Sequence, residues 1–407
     1  MNRILFIFGA AILLFSCKKQ TANVTSQSNP TPKIDTSASA VVIDASMAQQ
    51  TIYGFGGADI IDWTGDLTAA QRDTAFSPTS GIGLSIVRVR VPVDSSEFSQ
   101  AKATIDVCKS YGGSAIASVW SAPASMKTNG STIGGTIKAT SYTGLAAYMK
   151  AFNTASGGLV AISPTNEPNI SVTYESMQMS ASEVADFVAA EGDSCGAPIM
   201  APEPFNMGQT FINTYLSNDS AKSKTAFIAG HIYGATPYVL SVDKPVWMTE
   251  HYINSNLSGD DWPNAMNAAK EINDCMSAGW GAYVWWYIRR SYGPISESGN
   301  IQKLGYVMAQ YARYIRPGYS KISCTENPST GIYVTAYKSG SKIVVVAINQ
   351  NSSEIYLPFN LNGASASGFT KYTTTGSSNL VSGNVSISGS DFGIILPGMS
   401  IITLVSD

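Results

Sequence analysis

Histidine is nearly missing from this chain: 407 residues contain two, His231 and His251. That excludes a His-rich metal centre and leaves almost no choice of base for a Ser-His-Asp triad. Charged side chains make up only 13% of the residues, and 25 basic against 28 acidic groups give a formal net charge of −3. No basic face is implied, so nucleic acid is not an expected partner. The five cysteines are spaced too widely for a small-protein disulfide framework and show no metal-ligand pattern. Cys108, Cys195, Cys275 and Cys324 are therefore expected as buried free thiols. No Gly-rich phosphate turn follows a strand, and no residue pattern calls for a metal or an organic cofactor, so none is expected. The apolar run Ile4 to Phe15 is too short to cross a bilayer as a mature helix.

What is abundant is aromatic and polar without charge. The chain carries 20 tyrosines and 7 tryptophans among many Ser, Thr, Asn and Gly residues. Such a surface suits a neutral polymer, because sugar rings offer hydroxyls to amides and C–H faces to aromatic planes.

At the N-terminus, Arg3 precedes the apolar run, which ends in Leu14-Phe15-Ser16-Cys17. This resembles the lipoprotein cleavage signal of bacteria, and residues 1–17 are expected to be an export signal ending at a lipidated Cys17. Residues 18–38, rich in Ser, Thr, Pro, Asn and Gln, are expected to be a flexible tether. The chain is thus expected to be exported and held at the bacterial cell envelope by its lipid, or secreted, and to act as a monomer.

From Tyr53 to about Arg316 short apolar runs alternate with longer amphipathic stretches, the pattern of βα units on a parallel sheet. Eight runs begin near Tyr53, Ser85, Ser114, Leu159, Ala197, Thr225, Pro245 and Gly281, which predicts a closed (β/α)8 TIM barrel over residues 53–316. Helical spacing marks Leu145 to Asn153 and Trp262 to Met276. Beyond Pro317 the runs GIYVTAY, KIVVVAIN, EIYLPFN and GIILPGMSIITLV alternate with turn residues, predicting a β-sandwich side domain over residues 317–407. Residues 39–52 also read as strand and are expected to join that sandwich.

Polar residues at the C-terminal ends of barrel strands face the mouth, where chemistry takes place. Strand four ends in Asn166-Glu167-Pro168, and strand seven ends in Thr249-Glu250-His251. Two carboxyl groups across a cleft are what glycosidic cleavage requires: one protonates the leaving oxygen, the other attacks or stabilises the anomeric carbon. Glu167 is expected to hold its proton as acid and Glu250 to be kept ionised by nearby donors, with Arg88 and Tyr233 best placed. Asn166 is expected to bond the sugar 2-hydroxyl.

These residues lead to a family. The chain resembles glycoside hydrolase family 30, and within it the glucuronoxylanases, from Val41 to Asp407. The resemblance rests on Gly54-Phe55-Gly56-Gly57, Gly83 to Arg90, Asn166-Glu167-Pro168, Gly230-His231-Ile232-Tyr233-Gly234, Trp247 to Tyr252, and Val284 to Gly293. It implies a retaining mechanism on glucuronoxylan with Glu167 as acid/base and Glu250 as nucleophile. Trp120, His231 and Tyr233 would line the substrate site. Arg290 would bind the carboxylate of a 4-O-methylglucuronate branch, with Tyr292, Tyr252, Ser255 and Trp286 completing that pocket. The chain departs from the family at Ser125, which stands where an aromatic residue is usual, and at Met177 and Met179. The rival readings are a family 30 hydrolase of other specificity, such as a glucuronate-independent xylanase or a β-1,6-glucanase, and a glycan-binding lipoprotein without activity.

Overall fold

The computed structural model describes residues 34–407. The expected export signal, the Cys17 expected to carry a lipid and most of the expected tether lie outside the described residues.

Strand β1 spans Val41–Thr51, and eight parallel strands then close a barrel in sequence order. They are β2 (Gly54–Ala58), β3 (Ile86–Arg90), β4 (Ser114–Ser118), β5 (Ala161–Ser163), β6 (Ile199–Pro202), β7 (Thr225–His231), β8 (Val246–His251) and β9 (Ala282–Trp285). Each coincides with one of the eight runs read from the sequence. The stretches marked as helical lie within helices Tyr142–Ala155 and Trp262–Ser277, the latter capped by the Asp261 side chain accepting from the Asn264 N–H.

Period-two alternation explains how the barrel separates apolar packing from chemistry. In β3, Val87 and Val89 join the large apolar core under the outer helices, whereas Ile86 packs in the barrel interior with Ile116, Met200 and Trp247. Arg88, two residues beyond Ile86, then points into the same interior one layer higher. The lower interior is plugged by Trp247 stacked on Phe227 at 3.7 Å between ring centroids, with Tyr53 against both. Polar groups therefore occupy the upper layer only. Close packing needs glycine at two points of β2: a Cβ on Gly54 would lie 2.4 Å from Ser85 Oγ, and one on Gly56 2.2 Å from the Ile86 carbonyl.

The remaining strands are β10 (Ser320–Cys324), β11 (Ile332–Ser339), β12 (Lys342–Asn349), β13 (Ile355–Asn362), β14 (Gly368–Thr375), β15 (Val381–Ser386), β16 (Asp391–Leu396) and β17 (Ser400–Ser406). With β1 they form one nine-stranded sheet, ordered β15-β14-β17-β12-β11-β10-β1-β13-β16. The sheet folds over on itself, so that Phe369 of β14 meets Phe392 of β16 at 4.6 Å, and Phe392 stacks on Phe359 of β13. This is the expected sandwich, and β1 lies inside it, antiparallel to β10 and parallel to β13.

Strand β12 is apolar on both faces for a reason. Val344, Val346 and Ile348 belong to the barrel core, whereas Ile343, Val345 and Ala347 belong to the sandwich core. The Trp262 indole N–H also donates to the Met399 carbonyl, and Thr403 Oγ1 to that of Gln310. Barrel and sandwich consequently form one compact unit from Asp35 onward.

Three details differ from the sequence reading. The run GIILPGMSIITLV is two strands, broken at Pro397-Gly398, because proline cannot donate to a ladder. Strands β14 and β15, rich in Thr, Ser and Gly, lack the apolar alternation that would announce them. The expected tether already meets the sheet at Asp35, whose carbonyl accepts from the Tyr356 N–H at 2.8 Å. The described cysteines are free; burial pushes the Cys108 and Cys195 thiols up to about 12.

Candidate active site

Glu167 stands four residues beyond β5, at the end of a turn tied down by its own hydroxyls. Ser163 Oγ donates to the Thr165 carbonyl, and Thr165 Oγ1 to that of Pro202, both at 2.8 Å. Glu167 itself has a left-handed backbone, with φ of 47°. Such a conformation is costly for a residue with a Cβ and persists only where surrounding contacts enforce it. One of these contacts is its own N–H, which donates to the Glu203 carbonyl at 2.9 Å.

Glu250 reaches the interior by a different device. Trp247 faces inward, so strict alternation would turn Thr249 inward and Glu250 out. The register shows an extra residue: Gly230 and His231 of β7 pair with Met248 and Glu250, and on the other side Met248 and His251 pair with Tyr283 and Trp285. A bulge at Thr249 therefore re-aims Glu250 into the barrel mouth.

Against Glu250 and the residue before Glu167 lies a fully buried cation. Arg88 Nη1 donates to Glu250 Oε2 at 2.6 Å, Nη2 to Asn166 Oδ1 at 2.7 Å, and Nε to Ser118 Oγ at 3.2 Å. Its guanidinium also lies 4.5 Å from the centre of the Trp120 ring. The other oxygen of Glu250 accepts from the Tyr233 hydroxyl at 2.9 Å, and Tyr233 is itself stacked on Phe205 at 5.0 Å. Both donors named from the sequence thus bond Glu250. Because Asn166 spends its amide oxygen on Arg88, its NH₂ remains to donate to a ligand.

His231 and a third acid complete the cluster. His231 Nδ1 is 2.8 Å from Glu167 Oε1, and Nε2 is 3.7 Å from Glu203 Oε1. Glu203 follows β6 in Pro202-Glu203-Pro204 and was not a candidate from sequence. The signal was available: like Glu167, it is a glutamate before a proline at a strand end.

Burial dominates the electrostatics. It pushes the Glu250 carboxyl up, and although His231, Arg88 and Tyr233 pull it down, Glu167 adds to the rise. The donors expected from the sequence thus favour the ionised form, while desolvation of the buried carboxylate outweighs them and leaves its pKa above the ordinary value. Burial also opposes a charge on His231, yet Glu250, Glu167 and Glu203 together raise it to about 9. For Tyr233, burial and the charge of Glu250 act together and hold the hydroxyl protonated as a donor.

A cavity of about 450 Å³ opens above the acids. Its wall includes Trp63, Trp120, Tyr174, Phe205, Tyr252, Trp286 and Tyr287, with Glu167, Tyr233 and Glu250 beneath. Trp120 and Trp286 are stacked at 5.9 Å, and Trp63 meets both edge-on. Trp63, Tyr174, Phe205 and Tyr287 were not among the candidates, because aromatic residues in loops, or in a single helical turn such as Ile61–Thr64, carry no periodic signal. Trp63 and Tyr174 are held through Arg90. Its guanidinium lies 5.5 Å from the Trp63 ring and pairs with Glu175 at 2.5 Å and with Asp62.

At the rim, the adjacent arginines divide. Arg289 is structural, donating to the Asp66, Thr64 and Gly65 carbonyls and to Gln71. Arg290 instead lies over the Tyr287 ring at 5.4 Å, beside Tyr292, and pairs with Glu297 at 3.6 Å. Tyr252 and Tyr292 are 5.3 Å apart. Ser255 is exposed on the loop after β8 and is not part of the cavity wall. Met177 and Met179 are buried in the main core, so their departure from the family pattern leaves the cleft untouched; Ser125 is exposed outside the cavity wall.

Oxygens of Glu167 and Glu250 and a nitrogen of His231 all lie within 4.8 Å of one another. Among the described residues this is the group best disposed to hold a cation, but each member is already bonded within the protein and Arg88 supplies the positive charge there.

No protein-family profile matches the chain. The sequence is, however, 37% identical over 389 residues to glucuronoxylanase XynC of Bacillus subtilis (strain 168), covering 90% of this chain and 92% of that relative. The chain belongs to glycoside hydrolase family 30. Its fold agrees with two solved members. The family 30 subfamily 8 xylanase Xyn30A of Clostridium acetobutylicum gives a TM-score of 0.83 at 31% identity, over 90% of this chain and 99% of that one. The family 30 endoxylanase of Clostridium papyrosolvens C71 gives 0.83 at 30%, over 91% and 100%. Like them, this family 30 chain is a glycoside hydrolase.

Proposed function

We propose that the chain is a retaining endo-β-1,4-xylanase that cuts glucuronoxylan at sites set by 4-O-methylglucuronate branches. The observation that carries the mechanism is the spacing of the acids. One oxygen of Glu167 and one of Glu250 lie within 4.8 Å of each other, which suits the separation of about 5–5.5 Å in retaining enzymes better than the roughly 6.5–9.5 Å of inverting ones. Glu250, held by Arg88 and Tyr233, attacks the anomeric carbon. Glu167 protonates the leaving oxygen, then draws a proton from the water that releases the sugar. The stacked tryptophans receive the sugar faces, and the free amide hydrogens of Asn166 meet the 2-hydroxyl.

The substrate assignment draws on Arg290 and on the relatives' activity. Its guanidinium is about one-third exposed, beside Tyr292, whose ring lies 5.3 Å from that of Tyr252, and its present partner Glu297 is an exposed carboxylate that a branch carboxylate would replace. A charge-assisted contact of this kind contributes about 1.5–3 kcal/mol. Arg290→Ala is therefore expected to lower kcat/KM on glucuronoxylan by about one to two orders of magnitude, with no loss on unbranched xylan. Chromatography of products from 4-O-methylglucuronoxylan and arabinoxylan checks both points. Equal cleavage of the two polymers, or an unaffected variant, would favour the glucuronate-independent xylanase instead.

Export with a lipid on Cys17 belongs to the same proposal, as does action as a monomer. Fatty-acid labelling that survives Cys17→Ala would contradict the anchor.

A further inference from the structure

The two-glutamate reaction gives Glu203 nothing to do. It is fully buried, and one carboxylate oxygen, Oε2, has no hydrogen-bond partner. The other, Oε1, lies 3.4 Å from Arg88 Nη2 and 3.7 Å from His231 Nε2. On the far side of the ring, Nδ1 faces Glu167 at 2.8 Å. The imidazole is thus set between two carboxylates, one in the cleft and one sealed behind it.

The backbone repeats the link. Glu203 has φ of 50° beside the 47° of Glu167, its N–H donates to the Ala229 carbonyl, and its own carbonyl receives the Glu167 N–H. A buried charge is expensive to keep, and an apolar residue would serve packing better. Retaining it here calls for a role in positioning.

We propose that Glu203 is a positioning residue that keeps a proton on Nε2 of His231, so that Nδ1 shares with Glu167 the proton delivered to the leaving oxygen. This rests on the reading of Glu167 as the acid. Arg88 Nη2 also lies 3.5 Å from Nε2, but its two hydrogens are directed to Asn166 and Glu203, so Nε2 is not needed as an acceptor. The charged groups around the ring are Arg88 from β3, Glu167 after β5, Glu203 after β6 and Glu250 from β8, whose Oε2 is 4.0 Å from Nδ1. The Ser118 hydroxyl of β4 and the Tyr233 ring are the polar neighbours. Although burial opposes it, Arg88 and His231 hold the Glu203 carboxyl down at about 2, consistent with a permanent anion.

The proton count closes. Before cleavage one proton is fixed on Nε2 and one lies between Nδ1 and Glu167. As Glu250 bonds the anomeric carbon and the glycosidic bond breaks, the mobile proton passes to the leaving oxygen, leaving Glu167 ionised and His231 neutral. Water then replaces Glu250 at that carbon, and its proton restores the pair.

The test compares Glu203→Gln with the wild type on glucuronoxylan and on a nitrophenyl glycoside of a glucuronate-branched xylooligosaccharide, whose leaving group needs no proton. On the polymer, kcat/KM is expected to fall about 10- to 100-fold, with the basic limb of the pH profile moved down by about 1–2 units as a neighbouring negative charge is removed. On the aryl glycoside the loss should shrink to a few-fold. Equal losses on both substrates with an unmoved profile would mean that Glu203 is merely structural, and would overturn the proposal. Should the variant not fold, the wild type still decides: with only two histidines in the chain, ¹⁵N-histidine NMR should show His231 protonated at Nε2 both below and above about pH 9, where the ring loses its charge from Nδ1. A bare Nε2 at neutral pH would refute the idea. Glu167→Gln run in parallel separates the two layers. A selective loss on the polymer keeps Glu167 as the acid, so that an unmoved Glu203→Gln profile then defeats positioning alone; no selective loss defeats the acid reading and positioning with it.

Discussion

Glu250→Gln should lower the rate of xylan cleavage by about four orders of magnitude or more, the scale on which hydrolases lose a covalent nucleophile. The amide is nearly isosteric and can still meet Tyr233, so the fold should survive and circular dichroism should be unchanged. Trapping supplies the second measurement. A fluorinated sugar substrate should leave a covalent label on Glu250 in the wild type, and mass spectrometry that found the label on another residue would end the assignment. The pH profile follows from the same site. Burial raises the Glu250 carboxyl, and a nucleophile must be ionised. The acid limb of kcat/KM should therefore lie above the ordinary glutamate value of about 4.3, with activity lost as pH falls through it. A limb at or below that value would show the donors outweighing burial after all.

Arg88→Met is expected to damage both fold and reaction. The side chain is wholly buried and supports Glu250, Asn166, Ser118 and Trp120 at once. Removing one member of a buried charge pair costs about 3–5 kcal/mol, because the partner is left desolvated and unpaired. Urea unfolding should register that loss. Activity should fall further than stability explains, by roughly two to three orders of magnitude, because Glu250 would lose its shortest hydrogen bond and rise in pKa. Arg88→Lys should not rescue it, since an ammonium cannot reach the same acceptors as a planar fork. If the lysine variant kept more than half of the wild-type rate, the fork geometry would be irrelevant to catalysis.

Much of the architecture was legible in the chain because its signals are local. Eight apolar runs of strand length mark the barrel strands, and the rule that strand ends face the mouth singled out Glu167, Glu250, Arg88 and Tyr233. What escaped had no local signature. Trp63, in a single helical turn, and Tyr174, in a loop, reach the cleft through Arg90, and β14 and β15 pair through backbones whose side chains do not alternate. Glu203 shares the Glu-Pro signature of Glu167, but two acids already meet the needs of glycosidic cleavage, so the sequence alone gives a third no role.

The sequence by itself determined the fold class, the order of its elements and the residue types brought to the barrel mouth, because hydrophobic periodicity is written within a few residues. Only the tertiary structure decided which of those residues meet. Arg88 and Glu250 are 162 positions apart and touch because the barrel closes, and Glu250 faces inward because a bulge at Thr249 breaks the alternation that its sequence suggests. Burial then sets the protonation of the cluster. Desolvation and charge coupling depend on distances across strands, and no reading along one strand contains them.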